Sequence, residues 1–190
     1  MSDLAKIKAA ARKAGFARRA LAHANDPGTG AGLLSGLLAG HRGVALSGYM
    51  PIRTEIDPVP AMAEAAAYGP VGIPVIMGAG KPLKFAHWEP DMPLVAGPFG
   101  ARIPENPTFF EPEILIVPLV AFDAQGGRLG YSGGFYDRTL ERLRAARATL
   151  AVGFAYAGQE ADRLPLEVTD QTLDFLVTEN EVMDLRGGST

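Results

Sequence analysis

ILIVPLVAFDAQGGRLGYSGGFYDRTL, the stretch from Ile114 to Leu140, joins an apolar run to a glycine-rich loop and the start of a helix. The run Ile114–Phe122 predicts a strand, because a nearly continuous apolar run is typical of a strand buried on both faces. Leu140 and Leu143 are expected to face inward in a helix predicted over Phe135–Arg147. A buried strand, a loop and a helix in this order indicate an α/β fold.

The rest of the chain repeats this alternation of apolar runs and helical patterns. Strands are predicted at Val44–Met50, Val71–Met77, Ile114–Phe122, Leu150–Tyr156 and Asp174–Thr178, and helices at Asp3–Ala24, Ala31–Ala39, Val59–Tyr68 and Phe135–Arg147. We therefore expect a three-layer α/β/α fold with a mostly parallel central sheet, in a single domain that spans residues 1–190. The stretch 78–112 is rich in glycine and proline, and we expect it to be irregular and to line a pocket.

The composition excludes several classes of function. The 190 residues carry 18 basic and 21 acidic side chains, a balance unlike that of a dedicated duplex-binding protein. No cysteine is present, which excludes disulfides, thiolate catalysis, iron–sulfur clusters and cysteine-ligated zinc. The apolar run Ile114–Phe122 is far shorter than the roughly 20 residues that span a bilayer. We expect a soluble cytoplasmic protein with no nucleic-acid or membrane partner.

The N-terminal segment is predicted as a basic helix. Residues 1–24 hold six basic side chains against the single acid Asp3, which is a candidate N-cap. Lys8 and Arg12 stand four residues apart, so both project from one face of the helix. A solvated surface helix and a transit peptide are the alternatives that this pattern leaves open.

The glycine-rich loop predicts a site for anionic oxygens. Its glycines are Gly130, Gly133 and Gly134, which allow a positive φ and a close approach of the backbone to a ligand. Backbone N–H groups and the helix N-terminus favour bound anions, and Arg128 and Arg138 add positive charge. Asp137 in the first helical turn is suited to hold a divalent metal beside those oxygens. A hairpin turn with an acidic helix start is the alternative.

Acidic residues follow the ends of several predicted strands, and these are Glu55, Asp57, Asp123, Asp137 and Asp170. Ligands of open α/β sheets bind beyond the carboxyl ends of the strands, so a cluster of acids there would indicate a site. Each acid alone is typical of a cap or a turn. The three histidines have no metal-ligand spacing, and no G-x-S-x-G motif follows a strand, so a hydrolytic triad is poorly supported.

In these motifs the chain resembles the 5-formyltetrahydrofolate cyclo-ligase family. Ile114–Leu140 is similar to the family's apolar strand, its P-x-x-A-F-D segment and its R-x-G-x-G-x-G-Y-Y-D-R-x-L loop. The final third, AVGFAYAGQEADRLPLEVTDQTLDFLVTEN, resembles the family's V-G-x-A-Y…Q…L-P…D…D-x-x-x-T-E ending. Lys8 and Arg12 match its K-x-x-x-R, and Tyr49–Glu55 matches its Y-x-P…E segment. The resemblance covers nearly the whole chain.

The resemblance implies an ATP- and Mg²⁺-dependent cyclisation of 5-formyltetrahydrofolate to 5,10-methenyltetrahydrofolate, with release of ADP and phosphate. In the implied reaction the formyl oxygen takes the γ-phosphoryl group, N10 attacks the activated carbon, and phosphate leaves. The implied partners are these small molecules alone, and we expect a monomer. The alternatives are a family paralogue that uses ATP on a different substrate and a non-catalytic folate- or nucleotide-binding module.

The resemblance also implies residue roles. ATP binding falls to Lys8, Arg12, Arg128, Leu129, Gly130, Tyr131, Ser132, Gly133, Gly134, Phe135 and Tyr136; substrate binding falls to Met50, Glu55, Tyr131, Ser132, Gly133, Gly134 and Phe135. The metal ligands are Asp137 and Asp170, and the catalytic residues are Arg128, Tyr136 and Asp137. Glu55 suits a pterin because a carboxylate accepts two parallel hydrogen bonds from the amino group and the ring N–H.

Two positions depart from the family pattern. Ser132 stands where the family usually has glycine, and Phe135 where it usually has tyrosine. We predict a negative φ at Ser132 and a hydroxyl free to bond a phosphate, with a strained loop as the alternative. Phe85 and Trp88, in the irregular stretch, are predicted either to stack on the folate ring system or to anchor the loop.

Overall fold

A mixed eight-stranded sheet forms the centre of the protein in the computed structural model, which describes residues 2–187. The strands are β1 Leu46–Ser47, β2 Val71–Val75, β3 Lys84–His87, β4 Leu94–Ala96, β5 Arg102–Pro104, β6 Phe109–Phe110, β7 Ile114–Pro118, β8 Ala121–Phe122, β9 Arg128–Leu129, β10 Leu150–Phe154, β11 Phe175–Val177 and β12 Val182–Asp184. The helices are α1 Asp3–Ala24, α2 Gly30–Ala39, α3 Val59–Ala66 and α4 Phe135–Ala146, with short 3₁₀ turns at Pro98–Gly100 and Ala157–Gln159.

The order of strands in the sheet is β12-β11-β10-β7-β1-β2-β3-β6. The five central strands, from β11 to β2, run parallel. At the edges, β12 pairs antiparallel with β11, β3 pairs antiparallel with β2, and β6 pairs antiparallel with β3. The pairs β4–β5 and β8–β9 form two small sheets of their own. The predicted mostly parallel sheet is confirmed.

The two faces of β7 explain why its sequence is continuously apolar. Ile114 and Ile116 pack in one core with α2 and α3, whereas Leu115 and Val117 pack in a second core with α4. Successive side chains of a strand point to opposite faces, so a strand covered on both sides needs an apolar residue at every position. This arrangement confirms the three-layer fold.

Several predicted boundaries are wrong. The predicted strand Ile114–Phe122 is two strands, because the chain leaves the main sheet after Pro118 and β8 pairs with β9 instead. The stretch 78–112 is not wholly irregular, since it contains β3 to β6. Asp3 is the first residue of α1 rather than its cap, because the Ser2 hydroxyl accepts the backbone N–H of Ala5 at 3.2 Å.

Helix α1 lies very close to the connection between β7 and β8. A Cβ atom at Gly15 would be 2.8 Å from Val120 Cγ1 and 2.9 Å from the Val120 carbonyl oxygen, so only glycine fits. Lys8, Arg12 and Arg19 share this face of the helix by their spacing. The contact therefore turns three cationic side chains inward. Within residues 2–187, no helix is long and apolar enough to cross a membrane.

Gly15→Ala is expected to lower the free energy of unfolding by about 1–3 kcal/mol, the usual cost of forcing a methyl group into a packed interior. Gly36→Ala in α2 is the matched control, because no atom lies within 4 Å of the added methyl group. The control should gain up to about 1 kcal/mol from alanine's helix propensity. Urea unfolding followed by circular dichroism measures both. Equal stability of the two variants would contradict the close contact.

Candidate active site

A cavity of about 1000 Å³ lies beyond the carboxyl ends of the central parallel strands. Pro118 at the end of β7, Ile76 after β2 and Met50 after β1 form its floor. The N-terminal part of α1, the glycine-rich loop and the segment 167–170 surround it. This is the edge at which open α/β sheets bind their ligands.

Every residue to which the family resemblance gives a role in ATP, substrate or metal binding or in catalysis lines this one cavity. They are Lys8, Arg12, Met50, Glu55, Arg128, Leu129, Gly130, Tyr131, Ser132, Gly133, Gly134, Phe135, Tyr136, Asp137 and Asp170. The strand-end acids Asp57 and Asp123 do not belong to the cavity lining. Asp57 accepts the backbone N–H of Val59 at 2.9 Å at the start of α3, and Asp123 accepts that of Gly127 at 2.9 Å in a buried turn.

The glycine-rich loop turns sharply from β9 into α4. Gly134, at the N-cap of α4, has a φ of 64° in the left-handed region, and a Cβ there would lie 2.8 Å from Arg138 Nη1. A Cβ at Gly133 would lie 2.5 Å from the Phe135 ring. The loop thus needs glycine at both positions for its own geometry.

The predicted negative φ at Ser132 is wrong. Its φ is 101°, in a region that favours glycine. The loop reverses direction between β9 and α4 within five residues, and Ser132 takes part in that reversal. A residue with a Cβ in such a conformation costs about 1–3 kcal/mol, so the strained-loop alternative is the correct one.

Buried Arg128 forms an ion pair with the half-buried Asp137 beside the loop. Arg128 Nη2 donates to Asp137 Oδ1 at 2.5 Å, and the backbone N–H of Gln171 donates to the same oxygen at 2.8 Å. Burial lowers the pKa of Arg128 and the neighbouring Asp137 opposes this effect, so the guanidinium remains charged at neutral pH. Arg128 Nε is buried with no hydrogen-bond partner among residues 2–187.

Helix α1 supplies two cations to the same cavity. Lys8 Nζ donates to Glu167 Oε2 at 2.6 Å and to Asp170 Oδ2 at 2.9 Å, and Arg12 Nε donates to the Gly130 carbonyl at 2.8 Å. Burial lowers the pKa of Lys8, but its two carboxylate hydrogen bonds outweigh burial and raise it overall. Lys8 is only 8% exposed, so the solvated-surface interpretation of this side chain is wrong.

Glu55 also lines the cavity and is itself buried. Its Oε1 accepts the Tyr131 hydroxyl at 3.0 Å, and its Oε2 accepts the backbone N–H of Ile52 at 2.9 Å. Burial raises the pKa of Glu55, and these two hydrogen bonds together with the charge of Arg19 partly oppose the rise. Each carboxylate oxygen can still accept a further hydrogen bond.

Of the two interpretations of Phe85 and Trp88, stacking on the folate ring system and anchoring of the chain, their burial supports anchoring. Phe85 is 1% exposed in the core beside α4, and Trp88 is 4% exposed in the core beside α2 and α3. Phe85 is held by the pairing of β3 with β2, and Trp88, directly after β3, is held by its backbone N–H, which donates to the Val71 carbonyl at 2.8 Å. Neither ring lines the cavity.

Two side chains with direct contacts to the site were not anticipated. Glu167 holds Lys8, and Arg19 lies 3.9 Å from Glu55 Oε1 through its Nη1. Arg19 follows Arg12 by seven residues, which is two helical turns and places both side chains on the same face of α1. This spacing could have indicated from the sequence that Arg19 faces the site. Nothing in the sequence near Glu167 separates it from an ordinary exposed acid.

The donor set of Asp137 and Asp170 fits a magnesium ion. The hydrogen bonds of Asp137 use Oδ1 and those of Asp170 use Oδ2, so within the described residues one oxygen of each carboxylate has no partner. Mg²⁺ is usually bound by one or two carboxylates together with substrate phosphates. Across residues 2–187 no group of three or more potential ligand side chains forms a metal site by itself.

Fold and site together define an α/β protein with a cavity at the carboxyl edge of its sheet, lined by a glycine-rich loop and several cationic side chains. The model of the 5-formyltetrahydrofolate cyclo-ligase family matches residues 41–179, and the chain belongs to this family.

Known relatives extend this result. The chain is 32% identical over 157 residues to a 5-formyltetrahydrofolate cyclo-ligase of Mycolicibacterium smegmatis, which covers 77% of this chain and 78% of that protein. It is 42% identical over 101 residues to that of Haemophilus influenzae, where the match spans 50% of this chain and 54% of the relative, about half its length. The solved 5,10-methenyltetrahydrofolate synthetase of Aquifex aeolicus superposes with a TM-score of 0.77 at 27% identity, covering 97% and 95% of the two chains. The resemblance and the fold are confirmed.

Ser132→Gly is expected to raise the free energy of unfolding by about 1 kcal/mol, because glycine adopts a positive φ without strain and only part of the gain is offset in the unfolded chain. Gly134→Ala is the reciprocal control and should lower it, since its φ is also positive and its Cβ would meet Arg138. Thermal unfolding compares the variants. If Ser132→Gly melts at a lower temperature than the wild type, the backbone at Ser132 is not strained.

Proposed function

We propose that this chain catalyses the ATP-dependent cyclisation of 5-formyltetrahydrofolate to 5,10-methenyltetrahydrofolate, with release of ADP and phosphate. The observation that carries the proposal is the single cavity in which the cations of α1, the glycine-rich loop and Glu55 meet. A phosphoryl donor and its acceptor must meet in one site, and this cavity offers both cationic groups and a buried carboxylate. Membership of the cyclo-ligase family supports the same reaction.

The nucleotide half is proposed to lie between α1 and residues 128–136. Phosphoryl transfer depends mainly on positioning and on neutralising the charge of the transferring group. Lys8 and Arg12 would bind the polyphosphate together with backbone N–H groups of the loop. Arg128 would stand beneath it, where burial makes its charge more effective than in water.

The folate half is proposed to lie around Met50 and Glu55. The Glu55 carboxylate would accept the pterin amino group and ring N–H, which orients the bicyclic ring. Tyr131 to Phe135 would contact both substrates, because the loop lies between the two halves. The formyl oxygen of the bound folate would then face the γ-phosphate.

The reaction is proposed to proceed in two steps. The formyl oxygen attacks the γ-phosphorus while the bond to the β-γ bridging oxygen breaks, which releases ADP. N10 then attacks the formyl carbon and loses its proton to the departing phosphate as the carbon–oxygen bond breaks and phosphate leaves. Tyr136 would donate a hydrogen bond to the transferring group, because its hydroxyl is buried without a partner among the described residues and burial raises its pKa, which keeps it protonated.

Asp137 and Asp170 are the residues proposed to hold Mg²⁺, through the carboxylate oxygens that no described residue engages. When bound, the ion would supply further neutralisation of the phosphate oxygens. The paired cations Arg128 and Lys8 would hold these two carboxylates in place. The cytoplasmic location, the monomeric state and the single-domain organisation stay predictions.

The test of the reaction is the formation of the methenyl chromophore. Wild-type protein should form it only when 5-formyltetrahydrofolate, ATP and a divalent cation are all present. If no product forms at high protein concentration, candidate substrates are screened for ATP hydrolysis. Hydrolysis with another substrate would favour a paralogue, and no hydrolysis with any substrate would favour a binding module.

The two halves of the site should separate in the kinetics. Lys8→Ala or Arg12→Ala should raise KM for ATP by about 10-fold or more, the effect of losing a charged hydrogen bond, with little change in KM for folate. Glu55→Gln should do the reverse. Lys6→Ala and Lys13→Ala, which remove exposed charges from the same helix, are the controls. Equal effects on both substrates from either change would contradict the assignment.

Asp137→Asn should slow turnover by roughly 100-fold or more with little loss of fold, because a metal clamp on phosphoryl transfer contributes several kcal/mol. The same variant tests the alternative that Asp137 has only a structural role, as the partner of Arg128. Asp162→Asn, an exposed acid, is the control. Near-normal turnover combined with a much lower Tm would show that the ion pair is the main role of Asp137.

A further inference from the structure

We infer that Arg19 is a positioning residue that holds the Glu55 carboxylate charged and the Tyr131 ring in place for the pterin, without touching the substrate itself. The inference rests on the proposed function, since it assigns Glu55 to the folate. Arg19 is then a third cation of α1 with a role in the site, and it acts through Glu55.

Arg19 is enclosed by the groups it would position. It is 1% exposed and does not line the cavity. Its guanidinium carbon lies 5.3 Å from the ring centroid of Phe16 and 5.4 Å from that of Tyr131, both cation–π distances. Its Nε donates to Thr54 Oγ1 at 3.0 Å, next to Glu55 in the chain.

The charge of Arg19 is balanced by Glu55. Nη1 lies 3.9 Å from Glu55 Oε1, and within the described residues Nη1 and Nη2 have no hydrogen-bond partner. An arrangement of this kind is a poor device for stability, because two buried charges lose their hydration and an apolar pair of similar volume often does better. A buried guanidinium with unused donors beside a buried carboxylate therefore indicates a role in keeping that carboxylate charged.

The same oxygen of Glu55 connects Arg19 to the loop shared by both substrates. Tyr131 OH donates to Oε1 at 3.0 Å, while the Tyr131 ring packs on Arg19 and lies 5.3 Å from the Phe16 ring. Arg19, Tyr131 and Glu55 thus form one contact group. A change at Arg19 reaches the folate carboxylate directly and the glycine-rich loop through Tyr131.

The charged and titratable groups around Glu55 come from every element packed against it. They are Arg19 of α1, Arg53 of its own loop, Tyr49 after β1, Tyr131 of the glycine-rich loop and Tyr136 of α4. The three phenols are neutral at physiological pH, because burial raises the pKa of each one, that of Tyr131 to about 12. Arg53 is exposed, so solvent screens it and Arg19 is the buried cation opposite Glu55.

Loss of this cation has a predictable sign. Burial already raises the pKa of Glu55, and Arg19 opposes that rise. Without Arg19 the pKa of Glu55 increases further, so a larger fraction of the carboxyl is protonated at any given pH. A protonated carboxyl loses one acceptor of the paired hydrogen bonds to the pterin, and KM for the folate rises until higher pH ionises the group again.

The experiment measures KM for 5-formyltetrahydrofolate between about pH 6 and 8.5, from initial rates of ADP release at saturating Mg²⁺ and ATP. In Arg19→Met, KM should be raised most at the acidic end of this range and should approach the wild-type value at the alkaline end, and a displacement of one pKa unit limits the ratio of the two KM values to about tenfold. KM for ATP should change much less. Arg19→Lys, which keeps the charge, should restore most of the wild-type profile.

Two controls separate charge from packing. Glu55→Gln cannot ionise, so its raised KM should not depend on pH in this range. Arg18→Met removes a neighbouring charge from the same helix and should follow the wild type, since Arg18 has no ion pair or hydrogen bond with another residue of the described chain.

The outcomes are distinct. A KM raised equally at every pH, in Arg19→Met or in Arg19→Lys, would overturn the inference in favour of a packing role, and an unchanged KM would overturn it outright. If Arg19→Met does not fold, the Lys variant alone decides between these results. Wild-type protein that forms no methenyl product contradicts the proposed function instead, so the two failures are distinguishable.

Discussion

The contact between Gly15 and Val120 is the constraint on which the site depends. It brings α1 against the β7–β8 connection at a distance that excludes any side chain at position 15. Since Lys8, Arg12 and Arg19 share the face of Gly15, the contact directs all three cations inward. Their partners come from three separate segments, namely residues 167–170, the Gly130 carbonyl and Glu55. The parallel sheet provides the floor of the cavity, and the helix provides much of its positive charge.

Pairs of opposite charge recur throughout the cavity. Lys8 with Asp170 and Arg128 with Asp137 are short ion pairs of largely enclosed groups, and Arg19 faces Glu55 at a greater distance. Such pairs contribute little net stability, because the loss of hydration offsets most of the Coulomb attraction. The strained Ser132 adds a further cost in the same place. This concentration of unfavourable terms at one cavity is what a site selected for binding charged ligands is expected to have.

Much of the fold was predictable from the sequence, because a strand covered on both faces requires an apolar residue at every position, as in Ile114 to Val117. The departure of β8 from the main sheet was not, since the apolar pattern continues through Pro118 although the pairing changes there. The φ of Ser132 depends on how far the loop must turn between β9 and α4, which no local pattern records. Phe85 and Trp88 were ambiguous for a similar reason, because an aromatic residue in a Gly/Pro-rich stretch serves a core or a ligand according to which way its strand faces.

In the candidate site, too, the residues with a local sequence signal were predictable and those defined by distant contacts were not. The glycine-rich loop and the Lys8–Arg12 pair carry local signals, and every residue predicted from them and from the family pattern lines one cavity. Arg19 and Glu167 were missed, because each acquires its meaning from a partner far away in the chain, Glu55 and Lys8 respectively.

The central claim is that α1 and the glycine-rich loop form one nucleotide site. Hydrogen–deuterium exchange with a non-hydrolysable ATP analogue and Mg²⁺ tests it most directly. The account predicts that amides of α1 around Lys8 and Arg12 and amides of residues 128–137 become protected together, at the same nucleotide concentration. Protection of the loop without any change in α1 would contradict it.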